Sequence, residues 1–189
     1  MAASDTTSYR RSRAIVCSNL CSSTGPTGPQ GPQGVAGSIG TTAIGSYYSM
    51  STQSISTPPA APTIMAYDNT NFERYVSLVS STRITVAKTA IYEAYYSIQI
   101  DRTSGGSPIT IYIWLKKNGS NVPDSNSSIS INSNNDRILP IVPYIISLNA
   151  GDYVEFAIQA TDINTRMLAE TPAIGPGLPS IIVGIKEIG

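Results

Sequence analysis

The chain contains no histidine, and that single gap removes much chemistry. Without histidine neither a Ser-His-Asp nor a Cys-His nucleophile can be assembled, and no metal can be held by imidazole. Cysteine is nearly as scarce, with Cys17 and Cys21 the two present. Their C-x3-C spacing is neither a CxxC redox pair nor a zinc knuckle, and it leaves two readings open: free thiols or an interchain disulfide. Charged residues make up 13% of the chain and balance at 12 acidic against 12 basic. Such a surface offers no extended field for nucleic acid or an anionic membrane. It also lowers the desolvation cost of contacts between subunits. No apolar run approaches the ~20 residues that span a bilayer. The basic cluster Arg10, Arg11 and Arg13 has no apolar stretch behind it, so a Sec-type signal peptide is not expected.

Other catalytic and ligand signatures are missing too. The carboxylates, among them Asp68, Asp101, Asp124 and Asp162, are scattered among turn residues, and no D-x-D-x-D-G calcium loop occurs. Gly175-Pro176-Gly177 lacks the Lys-Ser/Thr that would make it a phosphate loop. Asn134-Asn135-Asp136 reads as a solvated loop tip rather than a cation site. The expectation is therefore a protein that is not an enzyme and carries no cofactor or metal.

What the chain does have falls into three regions. Residues 1–24 form a basic, Ser/Thr-rich arm with no periodicity. Residues 25–42 contain GPTGPQGPQGVAGSIG, with glycine at every third position: Gly25, Gly28, Gly31, Gly34, Gly37 and Gly40. That is the collagen period, in which only glycine fits at the axis of three chains. At a polyproline rise of ~3.1 Å per residue the stretch extends roughly 50 Å, enough for an arm and too short for a fibre. A triple helix of this length needs something else to hold the chains together.

From residue 43 to 189 short apolar alternations are punctuated by turns, and no helical period appears. Ile109–Lys116 (ITIYIWLK) is the clearest, with Ile109, Ile111, Ile113 and Leu115 on one face. Tyr112 and Trp114 share the other face, which is expected to be covered by a sheet or a neighbouring subunit. Further strands are predicted at 46–54, 63–67, 75–79, 83–86, 91–101, 127–133, 153–160 and 179–188. In the run 91–101, Ile91, Ala94, Tyr96, Ile98 and Ile100 read as the apolar set. The stretch 137–147 carries Pro140 and Pro143, which predict an edge or bulged strand. Eight to ten short strands with turns every ten or so residues predict an all-β antiparallel sandwich, most simply a jelly roll with an extended N-terminal arm.

Two stretches carry a resemblance. Ile111–Ile129 (IYIWLKKNGSNVPDSNSSI) and Leu148–Phe156 (LNAGDYVEF) resemble the C1q/TNF-like jelly-roll domain, in which a strand ending in a W-x-x-x-N-G turn is later answered by L-x-A-G-D-x-V. Ala90-Ile91-Tyr92 is similar to that family's strand start, with alanine where glycine is usual. The run from Trp114 to Ser125 most resembles virion structural proteins of large DNA viruses and phages. A glycine-triplet segment ahead of such a domain is also the family's usual layout. The resemblance implies structural roles for Trp114, Asn118, Gly119, Gly151 and Asp152. It further implies a homo-oligomer, a pentamer or a trimer.

Three functions follow as expectations. The first is a capsid component of a virion, a penton or minor capsid protein whose arm contacts neighbouring capsid proteins. The second is a trimeric binding head on a collagen-like segment at a cell or spore surface, directed to a host receptor. The third is a carbohydrate-binding jelly roll that takes a glycan.

Overall fold

Alternation between inward and outward positions drives most of the long segments into strands. The computed structural model describes residues 28–31, 42–133 and 137–189, and among them there is no helix. The chain divides into two compact units, residues 1–38 and 39–189. The second unit carries sixteen strands among the described residues. In chain order the first are β1 (Ile44–Ser49), β2 (Gln53–Ser54), β3 (Thr63–Ile64), β4 (Asn69–Arg74), β5 (Val76–Val79) and β6 (Arg83–Val86). Next come β7 (Ala90–Ile98), β8 (Ile100–Arg102), β9 (Ile109–Lys117), β10 (Ser120–Asn121) and β11 (Ser127–Ile131). The last are β12 (Arg137–Ile138), β13 (Ile141–Leu148), β14 (Tyr153–Ala160), β15 (Thr165–Met167) and β16 (Ile181–Glu187).

All pairings between these strands are antiparallel. One sheet runs β13-β7-β16-β1-β4, and the opposing sheet runs β10-β9-β14-β6-β5, with β11 on β9 and β3 on β14. A smaller sheet, β12-β8-β15-β2, adds Ile100 and Met167 to the core. Chain ends β1 and β16 pair with each other, so the sandwich closes only when the last strand is in place. The inward faces meet through aromatic contacts. Tyr96 of the first sheet packs edge-to-face on Phe156 of the second, with ring centroids 5.4 Å apart, and Tyr144 closes on Phe156 at 6.0 Å. Ile111, Ile113, Leu115, Ile158, Val183 and Ile185 fill the space around them.

Several boundaries differ from the sequence reading, each for a local reason. The run predicted at 46–54 breaks after Ser49, because the Asp68 carboxylate accepts hydrogen bonds from Met50 N and from the Ser49 and Ser51 hydroxyls. The run 91–101 keeps its alternation but divides at Gln99, whose N–H donates to Ser180 O and whose carbonyl accepts from Leu168 N. Ile91 is not part of its inward set. Tyr92, Ala94, Tyr96, Ile98 and Ile100 face the core, so Ile91 points out with Tyr95 and is 45% exposed. Tyr75 leads no strand; its φ of +56° turns the chain from β4 into β5. The polar strand β4, NTNFER, and the short β15 have no apolar alternation to betray them. The proline-bearing stretch does form an edge strand, β13, with Pro143 inside it.

Candidate functional site

The motif residues shared with the C1q/TNF-like pattern converge on one corner, where two turns are tied together. Asn118 (φ +50°) and Gly119 (φ +80°) make a two-residue turn with both angles positive, the geometry that joins β9 to β10 in a tight hairpin. Gly151 (φ +91°) makes the turn into β14. Asp152 links them. Its carboxylate accepts from Lys117 Nζ, Asn118 Nδ2 and Asn149 N, each at 2.8 Å. Asn118 completes the link by accepting from Tyr153 N through its side-chain oxygen at 3.0 Å.

The same bonds set the acidity of Asp152. The Lys117 ammonium, then the Asn118 amide and the Asn149 N–H, hold its pKa down at about 2. A depressed folded-state pKa means that the stabilisation is full above the ordinary aspartate value of about 4 and is lost as pH falls towards 2. Asp152→Asn is therefore expected to lower stability by roughly 1 kcal/mol at pH 7, a figure discounted for solvent screening. Urea melts of the two proteins should converge by pH 2; a constant gap from pH 7 to pH 2 would remove the carboxylate from this role. These contacts are structural, and none places a nucleophile or general base before open space.

A second site lies on the outer face of β9. Tyr112 and Trp114 are not covered by another sheet. They face solvent across a groove of about 440 Å³, lined also by Pro58, Asn121, Asp124 and Gln159. Trp114 Nε1 donates to Asn121 Oδ1 at 2.9 Å, which fixes the indole plane. One wall, formed by Val122, Asp124 and Asn126, is anchored by Ser125, a residue that carries no chemical signal in the sequence beyond ending the Trp114–Ser125 motif. Buried at 7% exposure, its hydroxyl accepts from Leu115 N at 3.1 Å and bonds Val122 O at 2.8 Å. The Tyr144 hydroxyl donates to the Ser125 carbonyl at 3.0 Å, holding the wall to the sandwich.

A third feature is the outer face of the first sheet. Register places Pro143, Tyr95, Gly184, Ser46 and Phe72 in one row across all five strands. The neighbouring row runs Ile141, Ser97, Ile182 and Tyr48, and on the other side Ile145 and Ile44 flank Glu93 and Lys186. Ile141 and Ile145 stand 61% and 73% exposed. The only charges central to the face cancel, since Lys186 Nζ pairs with Glu93 at 2.6 Å. The Tyr95 ring passes close over Gly184, where a Cβ would meet its outer end. This surface was not read from the sequence, where Ile91 was placed in the core; apolar residues on both faces of β7, β13 and β16 are the signal that marks it.

A buried ionic cluster went unread in the sequence. Arg102 is 1% exposed; its Nε donates to Ser104 O at 3.1 Å and its guanidinium lies 3.8 Å from the Asp162 carboxylate. Asp101 beside it takes Arg166 at 2.7 Å and Arg137 at 3.6 Å. Alternation carries no information about which charged residues are sealed in.

Of the triplet glycines, Gly28 and Gly31 are described, and a Cβ at either would meet nothing within 4 Å. Gly25, Gly34, Gly37, Gly40, Cys17 and Cys21 lie outside the described residues, as does Asn134-Asn135-Asp136. Among the described residues no group of three or more carboxylates and thiols is arranged to hold a metal. No helix there is long and apolar enough to cross a membrane.

Five strands against a second sheet in this order, with the first and last strands paired, define an antiparallel jelly roll. The chain is similar to three solved structures. Murine APRIL at pH 5.0 superposes with a TM-score of 0.50 at 10% identity, covering 78% of this chain and 99% of that one. Murine APRIL at pH 8.5 gives 0.49 at 10% identity over 78% and 99%. The globular domain of zebrafish complement 1qA gives 0.47 at 10% identity over 78% and 97%. No protein-family model matches the chain, and no curated protein does.

Proposed function

We propose that this chain is a non-enzymatic structural protein of a virus particle, a jelly-roll head that assembles as a homotrimer behind a short collagen-like arm. The observation that carries the reading is the outer face of β13, β7, β16, β1 and β4. It is largely apolar, pairs its two central charges with each other and presents Ile141 and Ile145 on an edge strand. A contiguous surface of that kind on a protein otherwise rich in Ser, Thr and Asn is expected to bury against another copy. Three copies rather than five are favoured by the glycine triplets. Nothing within one chain requires glycine at 28 or 31, whereas three chains closing on an axis do. The motif from Trp114 to Ser125, with its resemblance to virion proteins, supports the location in a particle.

Native mass spectrometry of the full chain tests the assembly, and the expected mass is that of three copies. A single-chain mass would overturn it, and five copies would place the chain at a five-fold vertex instead. Stoichiometric detection of the chain in purified virus particles tests the location; finding it only on a cell or spore surface would replace that part of the reading. The head, not the arm, holds the copies together. Gly31→Ala is accordingly expected to leave the native mass unchanged, and loss of the oligomer would transfer assembly to the triple helix.

A further inference from the structure

We infer that the groove over Tyr112 and Trp114 is a binding site for a neutral glycan. It goes beyond the structural reading, because a scaffold needs no such groove. The floor is aromatic: Tyr112 and Trp114 stand two residues apart on the outward face of β9, and Tyr112 is 40% exposed. The electron-rich faces of such rings attract the C–H edges of a pyranose. The rim is polar and has bonds to give. Asn121 uses its oxygen on Trp114, which leaves its amide N–H2 free, and Gln159 uses Nε2 on Ala60 O at 2.7 Å, which leaves its oxygen free. Asp124 and Asn126 make no hydrogen bond or ion pair among the described residues. Donors and acceptors therefore converge on one aromatic floor, the combination that hydroxyl groups on an apolar ring satisfy.

Charge selects the class of sugar. The lining holds one carboxylate, Asp124, and no lysine or arginine, so phosphate, sulfate and sialic acid find no cation there. The volume, about 440 Å³, falls within the range of sites that enclose small ligands. The site is also built in advance. Ser125 pins the wall on one side, and Gln159 with Ala60 ties the Pro58 loop on the other, so little ordering cost opposes binding. Because Tyr112 and Trp114 point away from the core, the groove lies on the face opposite Tyr95 and Ile145 and stays open when that face is covered.

Trp114 is the single tryptophan of the chain, so its emission reports on the groove alone. The full chain is titrated with maltotriose, cellotriose, mannotriose, chitotriose and lactose, and with sialyllactose as the charged control. At least one neutral sugar is expected to shift the emission saturably below ~10 mM. Tyr112→Ala and Asn126→Ala should each weaken that binding tenfold or more with the thermal transition unchanged. Asn126 is exposed and bonds nothing in the sandwich, so its replacement keeps the test valid if Tyr112→Ala folds poorly. The inference is overturned if no neutral sugar acts, if sialyllactose alone binds, or if both variants bind as the parent does. A failure here leaves the oligomer mass untouched, and a single-chain mass leaves the sugar titration untouched.

Discussion

Ile145→Glu, combined with Ile141→Glu, is expected to convert the assembled protein into single chains that keep their fold. Both side chains stand on the outer side of edge strand β13, at 73% and 61% exposure, and touch nothing in the core of their own chain. Substitution there costs the isolated sandwich little, since surface changes generally stay within about 0.5 kcal/mol. In an oligomer the same side chains are buried. Each loses the ~1.5–3 kcal/mol that burying an isoleucine contributes, and each puts an unpaired carboxylate into an apolar contact. Beside β13 the Glu93 carboxylate already engages Lys186, and Arg74 stands on β4 at the opposite edge of the sheet, so no cation adjoins the new charges. Over the three interfaces of the proposed trimer the loss would exceed what such an assembly can withstand at micromolar concentration. Native mass spectrometry with circular dichroism reads both halves of the claim. An intact oligomer in the double variant would place the interface elsewhere, and an unfolded chain would show that β13 depends on those residues for more than contact.

Phe156→Ala is expected to cost about 3–5 kcal/mol. Phe156 is fully buried, and it is where the sheets meet: Tyr96 stands edge-to-face on it from β7, and Tyr144 leans on it from β13. Removing the ring deprives both tyrosines of their partner and opens a cavity between strands that hydrogen bonding holds apart. For a chain of this size the thermal midpoint should fall by roughly 10 °C. The measurement is best made in the Ile141→Glu, Ile145→Glu background, where assembly adds nothing to stability. Phe156→Leu, which keeps most of the volume, should recover more than half of the loss. A drop under about 1 kcal/mol for the alanine variant would mean that the two sheets slide together to fill the space.

The groove was partly legible in the sequence. Tyr112 and Trp114 were placed on one face by the alternation of β9, but alternation does not say what covers a face, and here no second sheet does. The loop from Asn118 to Ser125 decides that outcome. It folds back beside the indole because the Ser125 hydroxyl is buried against the Leu115 backbone, ten residues earlier.

Local chemistry was enough for the all-β class, the tight Asn118-Gly119 hairpin, the Asp152 turn and the edge position of β13, because positive φ, missing N–H groups and period-two burial act within a few residues. Partnership is a property of distance in space. That Asp68 ends β1, that Asp152 takes Lys117 and Asn118 across 34 residues, and that Arg102 is sealed beside Asp162 were settled only when the sheets closed. The phase of β7 was settled the same way. Ile91 and Tyr92 are both apolar enough for the core, and the Tyr96–Phe156 contact between the sheets chose Tyr92 and turned Ile91 outward, onto the face that the oligomer is proposed to bury.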